Sequence, residues 1–281
     1  MKLTTAFRPT RNRVAVLGAV AGVAALSLAA TASANATAEH RPAAKKPTVV
    51  LVHGAFVDGS SWNGVIKRLQ HDGYPVVAPA NPLRGLASDA DYLKSYLKSV
   101  KGPIVLAGHS YGGSVISQAA AGNHNVKALV YIAAFAQDKG ETVAELNSKF
   151  PATDLGTALN PVPFPLAGGG TGTDLYVKAD KFHDVFAADA PKSVTDLAAA
   201  TQRPVAANVF DEKPTEAAWK TIPSWDLITT QDHAINPDEQ RFMAKRAHAH
   251  TVEVDSSHAA PVSHPGAVTR LIEQAARHTT R

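Results

Sequence analysis

The 281-residue chain carries 28 Lys and Arg against 24 Asp and Glu, 12 His and no Cys, with 45% hydrophobic residues. Its length accommodates one large domain with a buried core, and its composition excludes a disordered chain, a disulfide scaffold, a thiolate nucleophile and Cys-bound metal or iron–sulfur centres. Lys2, Arg8, Arg11 and Arg13 account for the whole net charge of +4, so the remainder is neutral and lacks the pull on phosphate backbones that a nucleic-acid binder needs.

Residues 1–13 form a basic n-region and 14–30 an uncharged run of small and apolar residues. Ala32-Ser33-Ala34 follows as an A-x-A cleavage site, with Ala34-Asn35-Ala36 as an alternative of the same form. The run is too dilute in Leu, Ile and Phe for a retained span of about 20 strongly apolar residues. Residues 1–34 are therefore expected to be a removed signal peptide, exporting a protein with no stable membrane span. Residues 35–46 read as a flexible segment, and 47–281 as the folded domain.

Thr48-Val49-Val50-Leu51-Val52 is a continuous β-branched and apolar run, expected of a strand buried on both faces. His53-Gly54 ends it, and Ser60 or Ser61 is placed to cap a helix running to about 71. A second strand is expected over 74–79, a helix over 87–100, a third strand over 103–107, a helix over 112–121 and a fourth strand over 126–132. From about 137 to 220 no buried-strand run occurs, only Pro-rich and Gly-rich pieces and amphipathic stretches near 179–187 and 194–200. Strand character returns at 222–229, then a helix over 237–247, a strand over 251–254 and a last helix over 265–277. Alternating strands and helices predict an α/β fold with a mostly parallel sheet covered on both faces, interrupted by an insertion over about 137–220.

The chemistry centres on Gly108-His109-Ser110-Tyr111-Gly112-Gly113, a G-x-S-x-G match at the meeting of a buried strand and a helix of small residues. So tight a turn needs glycine around the serine, and it presents the hydroxyl at a helix N-terminus whose amides favour developing negative charge. Ser110 is the expected nucleophile. A base and an orienting acid complete such a site, in chain order Ser, acid, His, each after a late strand. Asp232 follows the strand at 222–229, and His258 follows the strand at 251–254. Asp138 is the substitute acid, Asp226 is read as pointing into a sheet face, and Asp238 and Glu239 as beginning a helix. Among the other histidines, His264 is read as capping or packing the last helix, and His233 adjoins the acid. The backbone N–H groups of Ala55 and Tyr111 are the expected oxyanion donors, with Phe56 as fallback. Phe56, Phe164, Phe182 and Phe186 are candidates to line a substrate pocket. His248-Ala249-His250 lacks a third ligand, so no metal is expected, and Gly168-Gly169-Gly170-Thr171-Gly172 lacks the Lys of a phosphate loop and reads as a flexible loop.

Leu51-Val52-His53-Gly54-Ala55, the glycine-serine motif, Asp232 and His258 resemble the α/β-hydrolase superfamily across residues 47–279. The nearer likeness is to small esterases of the plant methylesterase and hydroxynitrile-lyase type and their bacterial relatives. The resemblance implies an eight-stranded, mostly parallel sheet, a helical cap after the fourth strand and no cofactor. Cyanohydrin-cleaving members carry a Lys after the catalytic His and a hydroxyl residue at the first oxyanion position. Here those places hold Ala259 and Ala55, which favours ester hydrolysis. The expected activity is that of a serine carboxylesterase on small, partly apolar esters. Lactonase, thioesterase, amidase and perhydrolase chemistry use the same three side chains and stay open, as does a non-catalytic ligand receptor.

Overall fold

The computed structural model describes residues 45–279, so the expected signal peptide, its expected cleavage site and most of the segment expected to be flexible over 35–46 lie outside the described residues. Among the described residues nine strands run in chain order: β1 (Thr48–Val52), β2 (Val76–Val77), β3 (Ile104–His109), β4 (Val126–Ile132), β5 (Leu159–Pro165), β6 (Thr171–Val177), β7 (Val205–Ala206), β8 (Ser224–Thr229) and β9 (His250–Val254). Ten α-helices accompany them: α1 (Asn63–His71), α2 (Leu86–Ser99), α3 (Tyr111–Ala119), α4 (Val143–Asn147), α5 (Leu155–Ala158), α6 (Ala179–Phe186), α7 (Lys192–Ala200), α8 (Pro237–Arg246), α9 (Ala260–Ser263) and α10 (Pro265–His278).

Six strands, β2-β1-β3-β4-β8-β9 in spatial order, form one all-parallel sheet. Among the described residues this main sheet thus has six strands, where eight were expected. The central strands β3 and β8 are buried throughout, which explains their unbroken apolar character. On one face α1 and α10 meet the sheet through Trp62, Leu69, Val268, Leu271 and Ile272 with Val49 and Leu51. Each large side chain buried there contributes about 1.5–3 kcal/mol, which holds α10 against β4 and β8. On the other face α2 and α3 pack Leu93, Leu97, Val115 and Ile116 against Val50 and Leu106.

The insertion differs from its expected helical form. It contains helices α6 and α7 close to their expected places, but also an antiparallel sheet of order β5-β6-β7. Strand β5 is hidden in the sequence because Pro161, Pro163 and Pro165 alternate along it. Proline is tolerated on a sheet edge, where its missing N–H interrupts no ladder. Gly169 and Gly170, with φ of 88° and 87°, turn the chain from β5 into β6, and Leu166 N donates to Gly170 O across the turn. The glycine run is therefore a hairpin turn.

Two local expectations also change. The helix foreseen from Ser60 begins as a 3-10 turn, Gly59–Trp62, whose cap is Asp58: its carboxylate accepts from Ser60 N at 2.8 Å. The strand foreseen over 74–79 contracts to Val76–Val77, the two residues that pair with β1. Among the described residues no helix is long and apolar enough to cross a membrane.

Candidate active site

Because every strand of the main sheet runs the same way, the loops after β1, β3, β8 and β9 gather at one rim. The loop after β3 is the tightest. Ser110 sits at φ 54° and ψ −128°, immediately before α3, a backbone state costly for any residue but glycine. Its surroundings exclude side chains: a Cβ on Gly108 would lie 2.6 Å from Gly112 O, and one on Gly112 would lie 2.5 Å from Val52 O. Gly54 is required for the same reason, since its Cβ would lie 2.6 Å from Ser110 Cβ.

Asp232 and His258 come together beside this turn. His258 Nδ1 donates to Asp232 Oδ2 at 2.8 Å, with both side chains essentially sealed from solvent. Asp232 Oδ2 also accepts from Thr229 Oγ1 at 2.8 Å and Gln240 Nε2 at 2.9 Å, and Oδ1 accepts from the N–H groups of Ala234 at 2.7 Å and Ile235 at 2.9 Å. Burial alone would raise the carboxyl's pKa. The charge and hydrogen bond of His258, with bonds from Ile235 and Thr229, outweigh it and hold the group below the ordinary aspartate value. Donation from Nδ1 leaves His258 Nε2 as an acceptor. Ser110 Oγ makes no hydrogen bond to any described protein atom, so the aspartate–histidine link is formed and the serine–histidine link is open.

His109 joins the end of β3 to the loop after β9. Its Nε2 donates to the His258 carbonyl at 2.9 Å, and the two rings lie 4.8 Å apart. Burial, reinforced by the neighbouring His258, lowers its pKa to about 3, so it stays neutral. Nothing in the local sequence marks a role for this side chain or for that of His53. His53 Nε2 accepts from Asn81 N at 3.0 Å while Nδ1 donates to Gly54 O at 2.9 Å, which fastens the loop after β1.

The backbone distinguishes the possible oxyanion donors. Phe56 N already donates to Arg203 O at 3.1 Å, which removes the fallback. The N–H groups of Ala55 and Tyr111 have no protein acceptor among the described residues. Tyr111 turns its own hydroxyl away, donating to Asp89 at 2.9 Å, while its N–H opens α3.

Of the four candidate pocket aromatics, three converge. The Phe186 ring lies 4.9 Å from His258, 5.1 Å from Phe182 and 6.1 Å from Phe56. Phe164 does not join them; it lies against Gly172 on the neighbouring strand, with Arg84 over its ring at 5.3 Å. The rival residues are occupied elsewhere. Asp138 pairs with Lys220 at 2.5 Å, and His233 with Asp154 at 2.7 Å. Asp226 is buried in β8, and His250 stacks on Trp225. No group of three or more His, Asp or Glu side chains among the described residues could hold a metal.

One connection had no signal in the sequence. Asp189, in the insertion, accepts from Ser256 Oγ at 2.9 Å and from Ser257 N at 3.1 Å, and also from Ser257 Oγ. It faces His264 Nδ1 at 3.3 Å. The two residues preceding His258 are thereby strapped to the insertion.

The model of the α/β hydrolase family matches residues 49–271. The chain belongs to that family. It is accordingly a hydrolase, and its relatives include proteins named as esterases. It is 27% identical over 253 residues to the α/β hydrolase nvfD of Aspergillus novofumigatus, covering 82% of this chain and 97% of that one. It is 22% identical over 271 residues to Methylesterase 17 of Arabidopsis thaliana, covering 85% and 95%. Among solved structures, polyneuridine aldehyde esterase superposes with a TM-score of 0.72 at 17% identity, covering 82% of this chain and 99% of that one.

Proposed function

We propose that the protein is a serine carboxylesterase acting on small, partly apolar esters, with Ser110, His258 and Asp232 as its triad. In this reaction the Ser110 hydroxyl attacks the ester carbonyl as His258 Nε2 takes its proton. The Ala55 and Tyr111 N–H groups receive the oxyanion, and His258 then gives the proton to the departing alcohol. Water, activated by the same imidazole, releases the acid from the acyl-enzyme. Asp232 keeps the imidazole in the tautomer with Nε2 free and stabilises its cation. The serine–histidine bond closes when substrate occupies the rim, as such bonds commonly tighten only in the complex.

The buried Asp232–His258 bond supports this reading most, because five donors hold the carboxylate ionised beside the strained turn at Ser110. Ala259 after the histidine and Ala55 in the loop after β1 support hydrolysis over cyanohydrin cleavage. Phe56, Phe182 and Phe186 supply the apolar surface against which an acyl or alcohol group packs. The test is labelling by a fluorophosphonate, together with turnover of p-nitrophenyl esters of increasing chain length beside lactones and aryl amides. Wild type should be labelled, Ser110→Ala should not, and its turnover should fall by roughly 10³–10⁶-fold. Absence of labelling of the folded wild type, or retained turnover in Ser110→Ala, would sink the assignment. We further propose export with removal of residues 1–34, tested by N-terminal sequencing of the protein recovered from culture medium.

A further inference from the structure

A second cavity lies away from the serine turn. Its volume is about 560 Å³, and Phe150, Leu155, Leu159 and Phe210 give it an apolar wall, while Glu239 is its one ionisable group, beside Asn147, Ser148 and Thr153. None of Ala55, Ser110, Tyr111 or His258 lines it. The size falls within the range of small-molecule pockets, which combine apolar walls with a few placed polar groups.

Glu239 is the unusual member. It lies in the first turn of α8 yet is 2% exposed. Its carboxyl makes no ion pair among the described residues; Lys149, the cation that acts on it, is held by Glu141 at 2.6 Å. The single hydrogen-bonding partner is the Asn147 amide, which with its nitrogen turned toward Glu239 donates to the two carboxyl oxygens at 2.8 and 3.2 Å. A carboxylate so placed is uncompensated. Burial, then the negative charges of Asp232 and Glu141, raise its pKa to about 8. A buried carboxyl without a cation, facing a cavity with apolar walls, is the complement of an ammonium group attached to a hydrocarbon.

We propose that this cavity is a second binding site, taking a small amine with an apolar ring or chain and using Glu239 as counter-ion. An amine entering as the free base accepts the Glu239 proton and remains as the ammonium of an ion pair, with nothing else gained or lost. The hydrocarbon part packs between Phe150, Leu155 and Phe210. The cavity also touches Ala234, whose N–H donates to Asp232, so its occupant lies against the loop that carries the proposed acid. The proposal does not depend on the esterase chemistry.

Calorimetry and saturation-transfer NMR with 2-phenylethylamine, and with 2-phenylethanol as its uncharged counterpart, test it. Wild type should bind the amine at least tenfold more tightly than the alcohol. Glu239→Gln, which keeps the shape and removes the charge, should weaken the amine by at least tenfold and leave the alcohol unchanged. Gly156→Leu adds bulk at a cavity-lining position whose Cβ direction is open, and it should abolish binding of both probes. The Ser110→Ala variant should bind like wild type, so a failed nucleophile assignment leaves this result standing. Equal amine affinity in wild type and Glu239→Gln, no amine binding to wild type, or undiminished binding to Gly156→Leu would each overturn the proposal.

Discussion

Asp226 and Asp232 lie on the same arm of the chain, one inside β8 and the other in the loop beyond it, and both are buried. Their environments differ in donors. Asp232 is surrounded by Thr229, Gln240, His258 and two backbone N–H groups, whereas Asp226 has an oxygen, Oδ1, with no partner. Burial accordingly pushes the Asp226 carboxyl well above the ordinary value, while the donors hold Asp232 below it. Depth therefore does not set the charge of a carboxyl here; the supply of N–H and O–H groups does. Only the supplied one can serve as a permanent anion behind an imidazole.

The contrast is sharpest in Asp232→Asn, which keeps the shape and reverses the hydrogen-bond preference of His258 Nδ1. By precedent from serine proteases, turnover should fall by roughly 10⁴-fold, measured on the best p-nitrophenyl ester; a loss below tenfold would remove Asp232 from the mechanism. Thr229→Val deletes one donor and leaves four. A hydrogen bond to a charged group contributes about 1.5–3 kcal/mol, and with the rest of the shell intact the expected loss of kcat is about tenfold, with KM unchanged. Asp189→Asn loosens the strap on Ser256 and Ser257 and should lower kcat by roughly two- to fivefold, since effects of this size are usual when a group acting through its neighbours is altered.

Asp226→Asn should change turnover least, by less than about twofold, because it touches no group of the proposed reaction. Its effect belongs to stability. At a pH below the unfolded aspartate value, near 3.9, the carboxyl is protonated in both folded and unfolded chains, and wild type and variant should melt together. As pH rises past that value only the unfolded chain ionises, so wild type loses stability through this residue that the asparagine variant keeps. The variant should therefore gain in Tm on wild type as pH rises from about 4. Asp232 acts with the opposite sign: its lowered pKa contributes stability above the unfolded value, lost as pH falls through the folded one. A Tm difference between Asp226→Asn and wild type that stayed constant with pH would break the contrast.

Much of this arrangement was legible in local pattern. Continuous apolar runs bounded by turn residues announced β1, β3, β4 and β8, and the G-x-S-x-G motif lay where a strand met a helix. Chain order picked out Asp232 and His258 among several acids and histidines. What stayed hidden was of two kinds. Strand β5 was concealed because its prolines mimic a loop when the pairing partner is unknown. Asp189, Gln240 and His109 were concealed because their roles consist of contacts made across the fold, such as the reach from Asp189 to Ser257, which no local spacing encodes. Phe164 illustrates the related error: an aromatic in the insertion announces burial, but not the direction in which it packs. Its place was decided by Gly172 opposite it on β6.

The alternating prolines of β5 carry a consequence beyond that concealment. The strand borders its three-stranded sheet, and Asn160, Val162 and Phe164 are the positions left with N–H groups to pair with β6. The outward-facing positions, Pro161, Pro163 and Pro165, have no hydrogen to offer, so a stray chain arriving along this border would find carbonyls without matching donors. The insertion thus ends, on the β5 side, in a border unsuited to receiving a further strand.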